Sequence, residues 1–333
     1  ITLFSDRVFA TIDYFNSVTD DVLVNAPIPY TSGHYGGPDP YSNVGKIRNY
    51  GVEFSLTYQE NRSSFKYDII TNMSVIRNEV LRLSDGYDAI FSGPTKTTVG
   101  MPIGQFFVLR TDGIFQSEQE VLDHVGEDGN LIQPNAEPGD IRYLDLNGRD
   151  PETGKLTGEP DGLINLDDRE FAGSPWPVLE FGLNSNMSYK EWHLKVFLEG
   201  SIGNYIFSNT RAIMERMDDN SNYPKWLDPW TEENKSTKYP RALYGADAAN
   251  NVYYESDRWL NNGTYLRFRS LRIGRTIPLS KLNGNAFIQM QNLFTISSYK
   301  MWDVVHPGGV FSRGIDNGTY PNVRSIMIGL NIT

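Results

Sequence analysis

Between Tyr50 and Asn78 the sequence alternates apolar and polar residues with a period of two. Successive side chains of a β-strand point to opposite faces, so this alternation predicts two strands whose faces meet different solvents. The first strand presents an apolar face made of Tyr50, Val52, Phe54, Leu56 and Tyr58. After a short polar turn, the second presents Phe65, Tyr67, Ile69, Thr71, Met73 and Val75. Both runs approach the ~9–11 residues that a tilted strand needs to cross a bilayer, whereas strands of soluble proteins average ~5–6.

The composition fits strands that are apolar on one face only. Hydrophobic residues make up 39% of the chain and the mean hydropathy is −0.43, yet aromatic residues reach 13%. In a transmembrane β-barrel only the outward-facing residues need to be apolar, while the lumen and the loops stay polar. No run approaches the ~18 apolar residues of a membrane-spanning helix, which excludes a helical membrane protein. The sequence therefore predicts an all-β fold, a portion of an antiparallel transmembrane β-barrel.

Charge and cysteine content exclude several other classes of protein. The net charge is −11, from 41 acidic and 30 basic residues, so nucleic acid is not an expected partner, because phosphate contacts need basic patches. The absence of cysteine excludes disulfides and thiolate metal sites. Ile1 opens directly into a strand-like pattern with no signal peptide before it, and we expect a mature fragment of a larger protein.

About eight strands are predicted along the chain, and the connections between them alternate in length. The strands are predicted at 7–15, 50–59, 65–78, 179–189, 192–202, 265–278, 286–296 and 323–332. The long loops are predicted at 25–47, 83–177, 204–263 and 297–321. Transmembrane barrels have short turns on the periplasmic side and long loops outside the cell. This alternation predicts extracellular long loops and a periplasmic C-terminus.

Two local signals refine the strand pattern. The apolar phase shifts inside the strand predicted at 265–278, between Phe268 and Leu271, and such a shift predicts a β-bulge. Asn283 and Gly284 form a tight-turn sequence, which predicts the hairpin turn before the next strand.

A series of short motifs along the chain resembles a known family. The motifs are Ile12-Asp13-Tyr14-Phe15, Asn43-Val44-Gly45, Asn49-Tyr50-Gly51-Val52-Glu53, Gly100-Met101-Pro102-Ile103-Gly104, Asp112-Gly113-Ile114-Phe115, Gly139-Asp140-Ile141-Arg142-Tyr143, Trp230-Thr231-Glu232-Glu233-Asn234, Tyr239-Pro240-Arg241, Thr264-Tyr265-Leu266-Arg267, Asn292-Leu293-Phe294-Thr295, Tyr320-Pro321 and Gly329-Leu330. Each motif is weak alone, but the ordered set is similar to the C-terminal third of SusC-like (RagA-like) TonB-dependent transporters. The resemblance covers nearly the whole chain.

The resemblance implies a role in nutrient import across the outer membrane of Gram-negative bacteria. Such a transporter has about 22 strands around a plug domain, and TonB acts on the plug. Residues 1–333 would be the C-terminal part of the barrel, without the plug and the N-terminal strands. The implied cargo is an oligosaccharide, or less commonly a peptide, and the extracellular loops would meet a SusD-like surface lipoprotein. The other expected partners are the remainder of the barrel, the plug, TonB through the plug, and outer-membrane lipid.

The long loop after Gly139-Asp140 contains a candidate calcium site. Ca²⁺ prefers carboxylate and carbonyl oxygens on a flexible backbone. The candidate ligands are Asp145, Asn147, Asp161, the backbone carbonyl of Leu163, and Asp168. Family members commonly have an uninterrupted calcium-loop pattern here, whereas this chain has an insertion at 149–160. The alternative is an acidic turn held by Asx hydrogen bonds. No cofactor is required by this interpretation, and Ca²⁺ is a possible one.

Aromatic residues in the predicted loops are candidates for contact with cargo or a partner protein. Sugar rings present C–H faces that stack on aromatic planes, although loop aromatics also pack loops against one another. The candidates are Tyr35, Trp226, Trp230, Trp259 and Trp302.

Catalysis is not expected from this sequence. Its four histidines are scattered, and no H-E-x-x-H, G-x-S-x-G or P-loop sequence occurs. The alternative to transport is a secreted soluble all-β module that binds glycans. The two hypotheses differ in where the apolar strand faces point, because a barrel turns them outward to lipid and a soluble module hides them.

Overall fold

The computed structural model of the chain is an all-β fold in which the described helices are short. It describes residues 2–3, 7–25, 41–43, 45–83, 87–215, 222, 224–243, 255–278 and 283–332. The strands are β1 (Thr2–Leu3), β2 (Val8–Thr19), β3 (Leu23–Asn25), β4 (Tyr41–Asn43), β5 (Gly45–Glu60), β6 (Phe65–Leu83), β7 (Ala89–Ser92), β8 (Thr95–Thr98), β9 (Gln105–Val108), β10 (Thr111–Ile114), β11 (Ile141–Tyr143), β12 (Glu170–Gly173), β13 (Leu179–Tyr189), β14 (Trp192–Ile202), β15 (Tyr205–Ser208), β16 (Leu260–Asn262), β17 (Tyr265–Pro278), β18 (Asn283–Ser297), β19 (Ile315–Asp316) and β20 (Ser325–Ile332). The helices are α1 (Glu118–Leu122) and α2 (Asn209–Met214), with 3₁₀ turns at Leu166–Asp168 and Asp257–Trp259. No helix among the described residues has both the length and the apolar character needed to cross a membrane.

One antiparallel sheet of nine strands dominates the described part of the chain. Its order is β1-β2-β5-β6-β13-β14-β17-β18-β20, so each long strand lies beside the next long strand of the sequence. All eight predicted strands are present in it. Several extend beyond their predicted ends, for example β5 back to Gly45 and β6 on to Leu83. The predicted all-β, antiparallel fold is confirmed.

The register of this sheet keeps the apolar side chains on one face. Ile12 pairs with Phe54, Phe54 pairs with Met73, and Leu194 pairs with Ile273. Directly opposed residues of antiparallel strands share a face. We call this the apolar face; besides those residues it carries Val8, Ala10, Tyr14, Val52, Leu56, Tyr58, Tyr67, Ile69, Val75, Phe181, Leu183, Met187, Trp192, Val196, Leu198, Leu266, Phe268, Leu271, Ile288, Met290, Phe294, Ile296, Ile326, Ile328, Leu330 and Ile332.

The apolar face is not sealed inside the chain. Val52 is 44% exposed, Ile326 64% and Ile328 83%. Phe54 and Leu56 are half-buried, with no layer of described chain covering them. A soluble sandwich would bury such residues between two sheets. An apolar surface that continues over eight long strands exceeds what water-facing proteins leave uncovered.

The opposite face of the sheet is polar, and the chain's own loops cover one end of it. Asn78 on this face of β6 accepts a hydrogen bond from the backbone N–H of Ile103 (2.7 Å). On β17, Arg267 donates to Asp303 of the connection after β18 (2.5 Å). The described parts of the loops therefore fold onto the polar side and do not cover the apolar side. A barrel with a polar inside and a lipid-facing outside has this arrangement.

Aromatic side chains border the apolar face beside the short turns. The ring centroids of Tyr58 and Tyr67 are 5.7 Å apart, and those of Phe65 and Tyr67 are 5.6 Å apart. Tyr189 and Trp192 pair directly across the turn between β13 and β14. Membrane barrels carry aromatic girdles at this position, where the ring meets the interface between lipid and water.

The bulge predicted in β17 is confirmed. The register of β17 shifts around Arg269, both against β14 and against β18. Phe268 and Leu271 therefore share the apolar face although three positions separate them. Arg269 donates to the side-chain oxygen of Asn292 across the irregularity (3.1 Å), and Asn292 has a left-handed φ of 51°.

The turn predicted at Asn283-Gly284 is wrong. These residues begin β18, where Asn283 pairs with Pro278 and Gly284 pairs with Ile277. Residues 279–282, which join the two strands, lie outside the described residues. An Asn-Gly pair predicts a two-residue turn only where the flanking strands end beside it, and here the pairing of β17 with β18 continues through it.

The connections at 84–178, 203–264 and 298–324, which we call the loop layer, contain short strands and their own apolar core. One buried cluster joins all three: Phe106 and Val108 from the first connection, Phe207 and Trp259 from the second, and Ile315 from the third. The sequence shows little alternation in these regions because strands of two to four residues are too short to display a period. The loop layer is thus a packed unit at one end of the sheet.

Candidate functional site

A cleft in the loop layer brings together two of the predicted aromatic contact residues. Trp226 and Trp302 both line it and are 60% and 58% exposed. The cleft has a volume of about 640 Å³. Its other walls include Arg211, Glu215, Lys238, Tyr239 and Lys300.

Helix α2 supplies one wall of the cleft and fixes an ion pair there. The Ser208 hydroxyl caps the helix by accepting the backbone N–H of Arg211 (3.2 Å). The Arg211 guanidinium donates two hydrogen bonds to Glu215 (2.9 and 3.0 Å) and one to the side-chain oxygen of Asn261 (2.9 Å). Burial opposes the charge of Arg211, but the hydrogen bonds and charge of Glu215 outweigh it and raise the pKa of the guanidinium. This wall is rigid and carries no net charge.

Two exposed lysines supply the charge of the cleft. The ammonium of Lys238 lies 4.8 Å from the centroid of the Tyr239 ring. The ammonium of Lys300 donates to the backbone carbonyl of Ser297 (2.7 Å). Neither lysine forms an ion pair with a carboxylate in the part of the chain that the structure describes. With Arg211 balanced by Glu215, the two lysines give the described walls a net positive charge.

A buried hydrogen-bond network ties the floor of the cleft to α2. The Tyr299 hydroxyl donates to the carboxylate of Asp316 and lies 2.8 Å from the hydroxyl of Ser208. Thr210 donates to the same carboxylate (3.0 Å). Burial, together with the hydrogen bond to Asp316, raises the pKa of Tyr299, so the phenol remains a donor. The network joins the second and third connections of the loop layer.

Asp303 anchors the Trp302 side of the cleft to the sheet. Its carboxylate accepts hydrogen bonds from Arg267 of β17 (2.5 Å) and from both the backbone and the side chain of Asn322 (2.9 Å each). Although burial opposes ionisation, these bonds lower the pKa of Asp303 to about 2. Because Asp303 directly follows Trp302, this buried ion pair fixes the backbone that presents the exposed indole.

Two of the other predicted contact residues, Trp230 and Trp259, are buried and do not line the cleft. Trp230 is 8% exposed and Trp259 is 2% exposed, so neither offers a ring face to a ligand, and these two predictions are corrected to packing roles. Trp230 donates to the side-chain oxygen of Gln116 (3.2 Å), and a Cβ at Gly139 would lie only 2.5 Å from its ring. Tyr35 lies outside the described residues.

The predicted calcium ligands lie in one folded loop, but several of their oxygens point to backbone amides. Asp145 accepts hydrogen bonds from the backbone N–H groups of Asp161 (3.1 Å) and Gly162 (2.6 Å). Asp161 accepts the backbone N–H of Leu163 (3.0 Å), which is an Asx turn. The side-chain oxygen of Asn147 accepts another backbone N–H from within the insertion at 149–160 (2.7 Å).

Asp168 closes this loop from a fully buried position. Its carboxylate accepts the backbone N–H groups of Leu146 (2.9 Å), Asn147 (3.1 Å) and Asn165 (2.7 Å). Burial raises the pKa of Asp168 despite these bonds, and the charge of Asp145 adds to the rise. Within the described residues, no three Asp, Glu or His side chains stand close enough to hold a metal. The carboxylate oxygens of this loop accept backbone hydrogen bonds and do not converge on one point. Calcium binding here stays a prediction.

No sequence pattern singled out the lysines of the cleft. Lys238 and Lys300 are separated by sixty-two positions and occur in polar stretches like those around many solvated lysines. The nearest signal was the aromatic content of the same loops, which indicated Trp226 and Trp302. The folding of the second and third connections brings Lys238 and Lys300 into the cleft with these rings, and neither connection has a periodic sequence pattern.

Comparison with known proteins gives one consistent family resemblance. Residues 1–105 match the family described as TonB dependent receptor-like, beta-barrel. This match covers about a third of the chain. TonB-dependent receptor P26 of Formosa agariphila is 27% identical over 100% of the chain, and TonB-dependent receptor SusC of Bacteroides thetaiotaomicron is 24% identical over 98% of it. The chain covers 33% and 30% of these two relatives, so it spans about a third of their length.

Solved structures give the same fold. The RagAB peptide importer in its closed-closed state superimposes with a TM-score of 0.76 at 21% identity, over 99% of this chain and 34% of that one. Its open-open state gives a TM-score of 0.69 at 20% identity, over 99% of this chain and 33% of that one. The predicted resemblance to SusC-like (RagA-like) TonB-dependent receptors is therefore confirmed. These relatives are outer-membrane receptors and transporters and are not enzymes.

Proposed function

We propose that this chain forms part of the wall and the extracellular loops of a TonB-dependent outer-membrane importer of oligosaccharides. The observation that carries the proposal is the uncovered apolar face of the nine-stranded sheet, opposite a polar face that the loop layer covers. Lipid would cover the apolar face, as it does in barrels with this alternation. A secreted soluble module would bury that face, which favours the transporter.

The orientation follows from the two ends of the sheet. The loop layer lies at one end, whereas the opposite end has the short turn between β13 and β14 and the aromatic border. Barrels of this kind keep short turns in the periplasm and long loops outside. We assign the loop layer to the cell exterior and the end of β20 to the periplasmic side.

The proposed partners are a SusD-like surface lipoprotein at the loop layer, the remainder of the barrel with its plug, and TonB acting through the plug. The relatives named SusC and RagAB support a transporter that works in such an assembly. Exposed apolar side chains in the loop layer supply a surface for the lipoprotein, among them Ile213 and Val310. Such side chains are enriched where proteins meet.

An oligosaccharide is the cargo that the cleft supports best. Trp226 and Trp302 present two indole rings in one open cleft, and the C–H faces of sugars stack on such rings. A peptide is the second candidate, because the RagAB structures are those of a peptide importer. A peptide would be recognised mainly through its backbone amides, which need hydrogen-bond donors and acceptors and gain less from two ring faces.

The test is uptake in the native host. Deleting the gene of the intact transporter should abolish growth on one class of oligosaccharide while growth on peptides is unchanged. The double variant Trp226→Ala, Trp302→Ala should lower uptake of that oligosaccharide at least tenfold at an unchanged outer-membrane level, since each stacking contact contributes about 1 kcal/mol. Tyr320→Ala, which removes an exposed aromatic ring outside the cleft, is the matched control. Normal growth on every oligosaccharide combined with lost growth on peptides would refute the proposed cargo.

A further inference from the structure

We propose that the cleft holding Trp226 and Trp302 selects oligosaccharides that carry negative charge, as a carboxylate or a sulfate ester. This inference rests on the proposed function and names the chemical class of its cargo. Its basis is the pair of lysines beside the two indole rings. A neutral sugar can accept hydrogen bonds from the two ammonium groups, whereas an anionic sugar would form stronger hydrogen bonds in which both partners are charged.

The charge of the cleft is opposite to that of the chain. The sequence carries 41 acidic residues against 30 basic ones, so an exposed lysine has many carboxylates available as partners. Arg211 follows this expectation and is neutralised by Glu215. Lys238 and Lys300, like most lysines among the described residues, form no ion pair there, but these two line the same cleft. The described walls of the cleft thus carry two positive charges that no described carboxylate neutralises, and an anionic ligand would neutralise them.

Both lysines line the same cleft as the two indole rings, and each ammonium has a contact that restricts it. Lys300 is two positions from Trp302, and its bond to the carbonyl of Ser297 uses one of its three N–H donors, which leaves two for a ligand. Lys238 lies over the edge of the cleft beside Tyr239, whose buried ring restricts the ammonium by a cation–π contact. The three N–H donors of an ammonium group rotate freely, so a lysine can bind a carboxylate or a sulfate equally well.

The exposure of the two lysines limits how much they can strengthen the binding of an anion. Both lysines are exposed, so each contact with an anion is screened by salt. Removing both charges should weaken binding about three- to tenfold, as expected for two solvent-exposed ion pairs. The charges would therefore select among sugars that the indole rings already bind.

The experiment is calorimetry on the intact purified transporter with three forms of one oligosaccharide. These are a uronic-acid oligosaccharide, the same backbone with its carboxyls reduced to alcohols, and the reduced backbone carrying sulfate esters. The variant is Lys238→Gln, Lys300→Gln. The control is Lys155→Gln, which removes an exposed lysine of the loop between β11 and β12. We expect the carboxylated or the sulfated form to bind more tightly than the neutral form, and the double variant to abolish that difference and its salt dependence. The control should keep both.

Several results would overturn the inference. Equal binding of the neutral and both charged forms, unchanged in the double variant, would refute selection by charge and leave oligosaccharide import intact. An acidic peptide of equal charge is also tested. If it binds more tightly than every form of the sugar, the cleft is a peptide site. All three sugars could fail to bind although the host still requires the transporter for growth on oligosaccharides. This result would show that the cleft does not bind the cargo. Failure of binding with no such growth requirement would instead refute the proposed function.

Discussion

The sheet and the loop layer belong to one chain, but different chemistry holds each of them. The sheet is a regular ladder in which side chains such as Leu183 and Asn184 alternate between two solvents. The loop layer is held by a small apolar core and by buried polar contacts that join distant positions, such as Arg267 with Asp303 and Tyr299 with Asp316. In the sheet, stability is spread over many equivalent residues and depends on the surrounding lipid. In the loop layer it is concentrated in a few buried polar groups. Substitutions that are severe in one region should therefore be mild in the other.

The largest effect is expected in the loop layer, from Asp303→Asn. The change removes the nearest carboxylate from the buried guanidinium of Arg267 and leaves only the more distant Glu199, at 4.0 Å, which costs about 3–5 kcal/mol. Amide hydrogen exchange of the intact transporter should show loss of protection over 298–324 and little change in the sheet. Asp228→Asn, at an exposed loop aspartate, should leave exchange unaltered. Loss of protection spread evenly over the sheet would show that the two regions are not separate.

The same carboxylate predicts how the loop layer responds to acid. The pKa of Asp303 is about 2 in the folded protein, below the ~3.9 of an unfolded chain. A lowered folded pKa means that the stabilisation is complete above pH ~4 and is lost as the pH falls toward 2. Exchange protection of 298–324 should therefore decline between these values in the wild type. In Asp303→Asn this decline should be absent.

A somewhat smaller effect is expected in the sheet, where it should depend on the face. Leu183→Arg places a charge on the apolar face at the middle of β13 and should cost about 2–4 kcal/mol if lipid lies there. Asn184→Arg, one residue along on the polar face, is the matched control and should cost under about 1 kcal/mol. Unfolding by urea in lipid vesicles measures both. Equal costs for the two variants would contradict the assignment of lipid to one face only.

The sheet could be predicted from the sequence because its apolar and polar residues alternate regularly. The loop layer could not be predicted, because it has no such pattern. Two solvents impose a period of two on β5 and β6, and even the bulge near Arg269 left a visible change of phase. Asn283-Gly284 misled because a local turn preference was overridden by strand pairing. The ion pair of Arg267 with Asp303 spans thirty-six positions and leaves no local pattern. The cleft was predictable only as far as Trp226 and Trp302.

Variants of the candidate calcium loop test whether its carboxylates hydrogen-bond to the backbone or bind a metal. Asp168→Ala removes the acceptor of three backbone N–H groups and should destabilise this loop by about 1–3 kcal/mol, with or without calcium. Local hydrogen exchange at 1 mM calcium and in chelator measures it, with calorimetry of calcium binding alongside. A heat of binding that Asp161→Ala and Asp168→Ala both abolish would establish the metal site and contradict the purely structural role.

The smallest effect is expected from Tyr299→Phe at the floor of the cleft. The change removes one donor to Asp316, which keeps its bonds from Thr210 and from the backbone N–H of Gly318, so the cost is about 1 kcal/mol. Exchange near α2 should increase slightly. Tyr320→Phe, at an exposed ring, should change nothing measurable. An effect as large as that of Asp303→Asn would mean that hydrogen bonds of neutral groups stabilise the loop layer as much as its ion pair does.

The most direct test of a lipid-facing apolar face compares adjacent positions of β5. The chain has no cysteine, so Val52→Cys and Glu53→Cys can each carry a single spin label in the intact transporter reconstituted in lipid. Collision with oxygen, which concentrates in the bilayer, should be high for the label at position 52 and low at 53. A water-soluble nickel chelate should show the reverse. Greater access of the chelate than of oxygen at position 52 would contradict the account.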